Sequence, residues 1–526
     1  MRTAISSLGD RAFDVVVIGA GINGAAAAQH LTAAGFSVLL VDKGDFASGS
    51  SGRSSRILHC GLRYLAPGSS MWDFLLHPDR LAAGLRMARL AMQARAEFVA
   101  STPERAFATK CHFPIYKDGP YATWQVGLAL RVLAALGSRE LPLGQRIIPP
   151  EDAKSLPLIR WLRDPEKLDS IATYAEYQFD WPERICIDAV LDAERMGALV
   201  RNYTEVTALM REGDAGWKVT LVDRLERADP AIVHGKVILN TAGIWIDRVN
   251  ARATTAARRR ITGTKGCHIM VRLPPECREY GIATLNRLRE PFYCLPWRGL
   301  HYFGPTETLY EGDLDDIRVS EEEIDFLLGE ANFLLSALSL KRSDVISTWA
   351  GVRPLTHDPA LPKGSRSRVV HDLAEDGLPN VLALTAGPIM SHRSAGRDLT
   401  KAVLRRLAPT RPPQQPSYLS HPFPENQNSP PLLDDDASVR LSDLRHAAAH
   451  EYPASLVDVL IRRTGAGLTE DMASAAAGRA AATIADILGW DGPRMEQEVR
   501  SYHDYVSRTH GCCPAAPARA DVAAAP

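Results

Sequence analysis

Three glycines near the start of the chain have the spacing of a dinucleotide-binding turn. Gly19, Gly21 and Gly24 follow the pattern G-x-G-x-x-G directly after the β-branched run 15–18. The first glycine suits a tight turn, the second lets the backbone approach a pyrophosphate, and the third lets helix and strand pack closely. Asp42 lies about 20 residues further on, where an acidic side chain binds a ribose hydroxyl. These residue types predict a dinucleotide site.

The predicted strands and helix around these glycines are those of a dinucleotide-binding unit. The run 15–18 is typical of a buried strand, a helix follows from Asn23, and a second strand, SVLLVD, ends at Asp42. The helix N-terminus directs its free N–H groups towards a phosphate. An isolated glycine pattern also occurs in ordinary turns, but strand, turn, helix, strand and acid in this order favour dinucleotide binding.

Later segments return to the same kind of site. The predicted strand 233–240 runs into Thr241-Ala242-Gly243, where small residues allow a ligand close to the backbone. Segments 261–272, 292–296 and 301–306 read as strands of a different sheet, and 320–338 and 394–407 as amphipathic helices. A cofactor domain that the chain leaves and re-enters favours a flavin over a nicotinamide dinucleotide.

Composition excludes several classes of protein. The 526 residues carry a net charge of −1, which gives no reason to expect a nucleic-acid partner. Eight cysteines without a C-x-x-C pair, two of them adjacent as Cys512 and Cys513, indicate reduced thiols in the cytoplasm. No apolar run reaches the 18 residues of a spanning helix, so we expect a soluble or peripheral protein.

Segment composition predicts four regions of the chain. We expect an oxidoreductase domain over 1–411, a proline-rich linker over 412–438, a helical domain over 439–510 and a disordered tail over 511–526. Segment 71–100 predicts a long helix. Segment 121–137 is apolar and too short to span a bilayer, so it is either a buried helix or a helix at a bilayer surface.

Several sequence motifs identify a family, beginning with VIGAGINGA at 17–25. SSGRSSRILHCGLRYL, KGCHIMV at 265–271, GPTETLYEGD at 304–313, GVRPL at 351–355, HEY at 450–452 and RRTGAGL at 462–468 resemble FAD-dependent glycerol-3-phosphate dehydrogenases of the quinone-linked, membrane-associated type. The resemblance covers nearly the whole chain. It implies an α/β fold, with a Rossmann-like FAD-binding domain, an inserted antiparallel substrate-binding sheet and a C-terminal all-α domain.

The resemblance also implies which residues bind FAD. Their positions form the first glycine turn, the acid that follows it, the serine-rich loop, one later strand, the second glycine turn and the segment before the last helix of the first domain. They are Gly19, Gly21, Ile22, Asn23, Gly24, Asp42, Lys43, Ser54, Ser55, His59, Gly61, Leu62, Val206, Thr241, Ala242, Gly243, Gly387, Ile389 and Met390.

Substrate-facing residues follow from the same motifs. Arg63 and Tyr64 match positions that face the substrate, and Arg353 matches an arginine beside the flavin. Guanidinium groups suit a phosphorylated polyol because they bind phosphate with two parallel hydrogen bonds. His59 and His268 are candidates for the base that accepts the hydroxyl proton, since histidine titrates near neutral pH.

One segment departs from the family pattern. The family reads Gly-Gly-Lys and then Thr-Tyr-Arg before its last helix, and the lysine faces the substrate; here residues 385–393 read TAGPIMSHR. Pro388 replaces the lysine and His392 the tyrosine, while Gly387 and Arg393 are kept. Proline has neither charge nor backbone donor. The phosphate site therefore lacks a charge, or takes one from Lys265, His392 or another group.

The expected function is oxidation of the secondary alcohol of glycerol 3-phosphate or a related polyol phosphate by hydride transfer to FAD, with electrons passing to a quinone. Two alternatives stay open: a FAD-dependent enzyme for another small alcohol, hydroxy acid or amine, and a non-catalytic flavin-binding protein. No metal is expected, because His446, His450 and His503 lack the usual ligand context. We expect a cytoplasmic protein or one on the inner face of the cytoplasmic membrane, in contact through 121–137; a homodimer stays open.

Overall fold

The structure, a computed structural model, describes residues 2–65, 77–213, 216–418, 420–434 and 436–511. The start of the predicted helix 71–100 and the pair Cys512 and Cys513 lie outside these residues. The described chain forms two units, one of residues 2–345 and 349–421 and one of residues 346–348 and 422–511.

Strands and helices are numbered here in chain order. The strands are β1 (Ala12–Ile18), β2 (Val38–Val41), β3 (Ile57–Leu58), β4 (Ala106–Tyr116), β5 (Arg146–Ile148), β6 (Leu168–Phe179), β7 (Leu199–Arg201), β8 (Thr204–Arg211), β9 (Trp217–Asp223), β10 (Ala231–Asn240), β11 (Ile261–Val271), β12 (Tyr280–Leu285), β13 (Pro291–Trp297), β14 (Leu300–Gly304), β15 (Thr308–Leu309), β16 (Val345–Thr356), β17 (Val369–Asp372) and β18 (Val381–Thr385). The α-helices are α1 (Ile22–Ala33), α2 (Leu62–Leu65), α3 (Pro78–Ser101), α4 (Thr123–Leu136), α5 (Pro150–Ala153), α6 (Pro182–Arg195), α7 (Ile246–Asn250), α8 (Glu321–Leu334), α9 (His392–Leu404), α10 (Leu441–His450), α11 (Ala477–Leu488) and α12 (Gly492–His510).

The first sheet carries the two glycine turns. Its strand order is β17-β18-β10-β1-β2-β7, and β1 pairs in parallel with both β10 and β2. The hairpin β8–β9 joins the sheet through an antiparallel pairing of β9 with β10. Strand β1 is buried from Phe13 to Ile18, as expected for a strand covered on both faces. Helix α1 packs against α6 and α9, so these three helices lie together beside the parallel strands.

The second sheet is built from segments inserted between strands of the first. Its order is β15-β11-β14-β13-β12-β4-β6-β3; β16 also pairs with β11 and β5 with β6. Its pairings are mostly antiparallel, with β4 and β12 as a parallel pair. These two sheets and the helical second unit confirm the predicted fold class.

The two faces of β11 have different surroundings. Successive side chains of a strand point to opposite faces. Cys267, Ile269 and Val271 belong to a hydrophobic core that includes residues of α8, so Lys265 shares that face. Gly266 and His268 therefore point to the other face. This alternation separates two residues of the motif KGCH that lie only three positions apart.

The second unit is helical. It comprises α10, α11, α12 and a π-helical segment, Asp458–Arg463, around a core of mainly aliphatic side chains. Residues 412–418 belong to the first unit, where Ser417 hydrogen-bonds to Asp192 and the hydroxyl of Tyr418 lies 3.0 Å from Nε2 of His30. The domain boundaries stay predictions.

Candidate active site

The first glycine turn allows contacts that no side chain would permit. Gly19 has φ +99°, and a Cβ there would lie 2.7 Å from Cα of Ala242. A Cβ on Gly24 would lie 1.8 Å from the carbonyl oxygen of Gly19. The N-cap of α1 is Gly21, which has no side chain to cap the helix. The turn therefore leaves a space lined by backbone at the N-terminus of α1.

The second glycine turn lies beside the first. Strand β10 pairs with β1 up to Ile18 and Asn240, so the residues that follow both strands meet at one edge of the sheet. The hydroxyl of Thr241 donates to the carbonyl oxygens of Gly19 and Ile18, at 2.9 and 3.1 Å. Ala242 and Gly243 come next and are half-buried. Two of the predicted cofactor segments are thus brought together.

Asp42 lies at the end of β2, adjacent to the glycine turn. Its carboxylate accepts the N–H groups of Ala20 at 2.6 Å and Gly44 at 2.9 Å. Burial raises the pKa of Asp42 to about 6, against the effect of these hydrogen bonds. The N–H of Thr204 donates to the carbonyl oxygen of Asp42, which brings the start of β8, and with it Val206, to the same edge.

Two residues at this edge, Ser51 and Trp245, were not predicted from the sequence. Oγ of Ser51 accepts the N–H of Ile22 at 2.9 Å, and Nζ of Lys43 lies 4.2 Å from the ring centroid of Trp245. Nε1 of Trp245 and Oδ1 of Asn23 are buried without a hydrogen-bond partner among the described residues. Ser51 and Trp245 could have been found from their positions within the serine-rich loop and directly after the second glycine turn.

The segment before α9 contacts the glycine turn. Nδ2 of Asn23 donates to the carbonyl oxygen of Gly387 at 2.7 Å. Ile389 is half-buried and Met390 is buried, in a short 3-10 turn that follows Pro388. The structure thus brings Gly387 to the cofactor edge from a position more than 300 residues away in the chain.

The HCGLRYL loop packs between α3 and the second sheet. Gly61 has φ +96°, and a Cβ there would lie 3.0 Å from Cα of Ala88. The N–H of Cys60 donates to the carboxylate of Glu176 at 2.7 Å, and Leu62 is buried. These contacts orient the short helix α2, which carries Arg63 and Tyr64.

His59 lies beside Tyr64 in this loop. The two rings make an edge-to-face contact with centroids 5.4 Å apart. Burial, with the nearby charges of Arg63 and Arg366, lowers the pKa of His59 to about 3. Nδ1 of His59 is buried and has no partner within the described chain. His59 is therefore neutral at physiological pH, with one ring nitrogen available to a ligand.

Three arginines act on the carboxylate of Glu307, Arg366 through a hydrogen bond and the other two electrostatically. Nη2 of Arg366 donates to Oε2 of Glu307 at 2.5 Å. Burial lowers the pKa of Arg353 to about 10, and repulsion from Arg366 and Arg63 acts in the same direction. Nη1 of Arg353 is buried without a partner in the part of the chain that the structure describes. Three cations and one anion leave this cluster net positive.

His268 lies on the second sheet, near Arg353. Its Nε2 is 2.9 Å from Oγ of Ser55, which is itself one of the predicted cofactor residues. The hydroxyl of Tyr302 donates to the carbonyl oxygen of Ser55 at 2.6 Å. Burial holds the pKa of His268 well below its usual value, and the charges of Arg353 and Arg56 add to the effect. Nδ1 of His268 has no partner among the described residues.

Two groups considered as substitutes for the family's lysine are occupied elsewhere. Nζ of Lys265 donates to Glu323 at 2.7 Å on the α8 side of β11. Nδ1 of His392 is 2.7 Å from the carbonyl oxygen of Ile389, and its ring contacts Phe98. Arg366 instead joins Arg353 and Arg63. It was not predicted, since it lies in a glycine- and serine-containing loop outside every motif.

An α/β dinucleotide fold with an inserted sheet and two joined glycine turns defines a flavoprotein class of oxidoreductase. The sequence matches the family described as FAD dependent oxidoreductase over residues 14–400, and the C-terminal domain of alpha-glycerophosphate oxidase over 423–495. The chain belongs to the FAD-dependent oxidoreductase family, and FAD is its cofactor.

Individual relatives are similar over much of the chain. A glycerol-3-phosphate dehydrogenase of Synechocystis is 27% identical and covers 96% of this chain and 97% of its own. An aerobic glycerol-3-phosphate dehydrogenase of Staphylococcus haemolyticus is 26% identical, covering 76% of this chain and 68% of its own. The solved glycerol-3-phosphate dehydrogenase of Bacillus halodurans, complexed with FAD, has a TM-score of 0.70 at 19% identity and covers 96% of each chain, so it shares the fold.

The residues at the cofactor edge fit FAD. The space beside Gly19 and Gly24 would be filled by any Cβ, and the unpartnered atoms of Asn23 and Trp245 are suited to a polar ligand. Asp42, at the end of β2, matches the acid that binds a ribose.

No helix in the described parts of the chain is long and apolar enough to cross a membrane.

Proposed function

We propose that this protein oxidises the secondary alcohol of sn-glycerol 3-phosphate or a closely related three-carbon polyol phosphate. The observation that carries the proposal is the cluster of Arg63, Arg353 and Arg366 around Glu307. A phosphate ester is close to a dianion near neutral pH, and a cluster with two excess positive charges complements it. Arg366 supplies the charge that Pro388 removes.

His268 is the proposed base. When its Nε2–H donates to Ser55, the lone pair of Nδ1 is free to accept the proton of the substrate hydroxyl. The low pKa of His268 leaves its imidazole unprotonated at neutral pH, so that Nδ1 can receive a proton, while burial and the nearby cations make it a weaker base than a free histidine. Arg353, which acts electrostatically on His268, would stabilise negative charge that develops on the hydroxyl oxygen. When bound, FAD supplies the acceptor for the hydride that leaves the alcohol carbon.

His59 is assigned a supporting role in substrate binding. It lies beside Tyr64, and two of the three arginines lower its pKa. A neutral imidazole in that position can donate or accept a hydrogen bond without adding charge. The proposed FAD contacts are those predicted from the sequence, with Ser51 and Trp245 added.

Electrons would then pass to a quinone, as the family resemblance implies. The homodimer stays a prediction.

We also infer peripheral membrane contact through α4. Its Val126, Ala129, Leu130 and Leu133 are buried, whereas Trp124 is 63% and Leu128 47% exposed. One side of α4 thus packs inward, as expected for a buried helix, and the other side exposes apolar side chains, as expected for a helix at a bilayer surface.

Anaerobic reduction of the purified yellow protein tests the substrate. We expect sn-glycerol 3-phosphate to bleach the flavin absorbance, and glycerol, lactate and glycine to leave it unchanged. Reduction by another compound of the panel but not by a polyol phosphate would contradict the substrate assignment. Reduction by none of them would favour the non-catalytic alternative. Peroxide formation in air, without reduction of a soluble quinone, would identify oxygen as the acceptor.

Arg366 provides a sharper test of the phosphate cluster. Arg366→Gln removes one cation from the cluster, and we expect KM for glycerol 3-phosphate to rise roughly 10- to 100-fold, the loss of one charge-assisted hydrogen bond. FAD content should not change. Arg368→Gln is the matched control, because Arg368 bonds to Ser391, Ser394 and Asp398 instead. Equal KM values in the two variants would remove Arg366 from the site.

A further inference from the structure

Four flat groups form a buried stack inside the first unit. Cζ of Arg56 lies 4.2 Å from the ring centroid of Trp297 and 4.7 Å from that of Trp349. The ring of His268 stacks on Trp349 with centroids 4.4 Å apart and planes 8° apart. One face of the Trp349 indole has no room for both Arg56 and His268 at these distances, so the two residues lie on opposite faces. The order is therefore Trp297, Arg56, Trp349, His268, and all four residues are buried.

The guanidinium of Arg56 is held by aromatic faces. Nε and Nη1 of Arg56 are buried and have no hydrogen-bond partner among the described residues. Glu183 and Asp180 act on the charge electrostatically, as does Arg298 with the opposite sign. Two indole faces add cation–π attraction to the attraction of these carboxylates. Arg56 also has φ +58°, a left-handed conformation that a non-glycine residue keeps only where its surroundings impose it.

The inner end of the stack is fixed by hydrogen bonds. Ser55 precedes Arg56, and its Oγ meets Nε2 of His268, while its carbonyl oxygen accepts from Tyr302. The ring of Tyr302 makes edge-to-face contacts with both His268 and Trp349. Movement of Arg56 is thus coupled to His268 through both the chain and the stack.

The charged groups that act on His268 are both cations. Arg353 acts from β16, and Arg56 acts from across Trp349. The other facing groups, Tyr302 from β14 and Ser55 from the loop, are neutral hydroxyls. An imidazolium at position 268 would therefore meet two positive charges in a buried environment. The neutral imidazole meets no such penalty.

We propose that Arg56 is a positioning residue that holds His268 flat against Trp349 and extends to lower pH the range in which its free nitrogen carries no proton. The proposal rests on the role given to His268 under Proposed function. Arg56 touches neither the proposed phosphate cluster nor the glycine turns, and it acts through Trp349 and Ser55.

Three variants of the FAD-bound protein test the effect of the Arg56 charge on the protonation of His268. Arg56→Gln removes the charge and Arg56→Lys keeps it. Arg298→Gln is the matched control, because Arg298 contacts the same Trp297, at 5.7 Å, but bonds to Asp180 at the protein surface. We expect the pH at which His268 gains a proton to rise by about one unit in Arg56→Gln, the effect of one charge at this separation with an effective dielectric constant of about 20. Arg56→Lys and Arg298→Gln should match the wild type.

Two readouts separate this proposal from the proposed function. The first is the acidic limb of the pH profile for flavin reduction by glycerol 3-phosphate. The second is a pH titration of tryptophan fluorescence, with a His268→Gln variant subtracted, which reports protonation of the ring stacked on Trp349 without any substrate. If no polyol phosphate reduces the flavin, the proposed function fails while the fluorescence titration still tests Arg56.

Three results would contradict a role for the Arg56 charge. Identical titrations of Arg56→Gln and wild type would overturn it, as would an equal shift in Arg56→Lys, since a charge effect cannot appear when the charge is kept. If Arg56→Gln does not retain FAD, Trp297→Leu takes its place. This variant opens the outer face of Arg56 to solvent, and the screened charge should shift the titration in the same direction; no shift would overturn the proposal.

Discussion

At the scale of single residues, a proline stands before α9 where the family resemblance implies a substrate-facing lysine. Pro388 leaves the segment before α9 without charge, and the two nearby replacements, Lys265 and His392, have partners of their own. Arg366 brings its guanidinium to Arg353 and Arg63 from a different loop. In the proposed site, positive charge therefore comes from arginines outside the segment before α9.

Glu176 leads to a prediction about pH and stability. Burial raises its pKa to about 7, although Arg95 and the N–H of Cys60 oppose the shift. The folded state therefore binds a proton that the unfolded chain releases near pH 4.3. Its contribution to stability is fully present below that pH and is lost as the pH rises to about 7.

We expect Glu176→Gln to remove this pH dependence. Between about pH 4.3 and 7, the wild type should lose on the order of 3 kcal/mol of unfolding free energy relative to the variant. Denaturant unfolding at a series of pH values measures the difference. Glu311→Gln, at an exposed position, is the control and should follow the wild type. Parallel curves for wild type and Glu176→Gln would show that Glu176 titrates normally.

At the scale of elements, the two glycine turns depend on the parallel pairing of β1 with β10. The glycine pattern predicts the first turn, but its contact with Thr241 and Ala242 exists only because β10 lies beside β1. The space for the cofactor is therefore a property of the sheet edge.

Gly24→Ala should abolish FAD binding. The added Cβ would lie 1.8 Å from the carbonyl oxygen of Gly19, so α1 would have to move away from β1. The flavin-to-protein absorbance ratio after purification measures the loss. Gly478→Ala in α11 is the matched control, since a Cβ there has no atom within 4 Å among the described residues. It should keep FAD and stabilise its helix by about 0.5–1 kcal/mol. Retention of FAD by Gly24→Ala would contradict the packing described here.

At the scale of the whole molecule, the exposed side of α4 should decide membrane contact. We expect Trp124→Ala combined with Leu128→Ala to weaken binding to vesicles of anionic phospholipid roughly tenfold, because two large apolar groups no longer enter the interface. Vesicle flotation measures the bound fraction. A pair of exposed leucines elsewhere, Leu225 and Leu288, changed to alanine should bind as the wild type does. Equal loss of vesicle binding in both double variants, or a wild type that does not float with the vesicles, would contradict membrane contact through α4.

The sequence by itself determined the cofactor and the fold class, while the FAD contacts of single residues stay predictions. This was possible because strand β1, the glycine turn, helix α1 and Asp42 follow one another within about 30 residues, so their geometry is local. The predicted strands 233–240 and 261–272 are confirmed as β10 and β11. The helix predicted over 394–407 begins slightly earlier, at His392, and ends at Leu404.

Only the tertiary structure decided which charged side chains come together. Arg63, Arg353 and Arg366 come from α2, β16 and the loop after β16, and pairing between distant strands brings them together. Alternation along β11 directs Lys265 away from His268, although both belong to one motif. The stack of Arg56 on Trp349 and His268 likewise joins three separate segments. These contacts depend on strand register and side-chain direction, which local residue spacing does not specify.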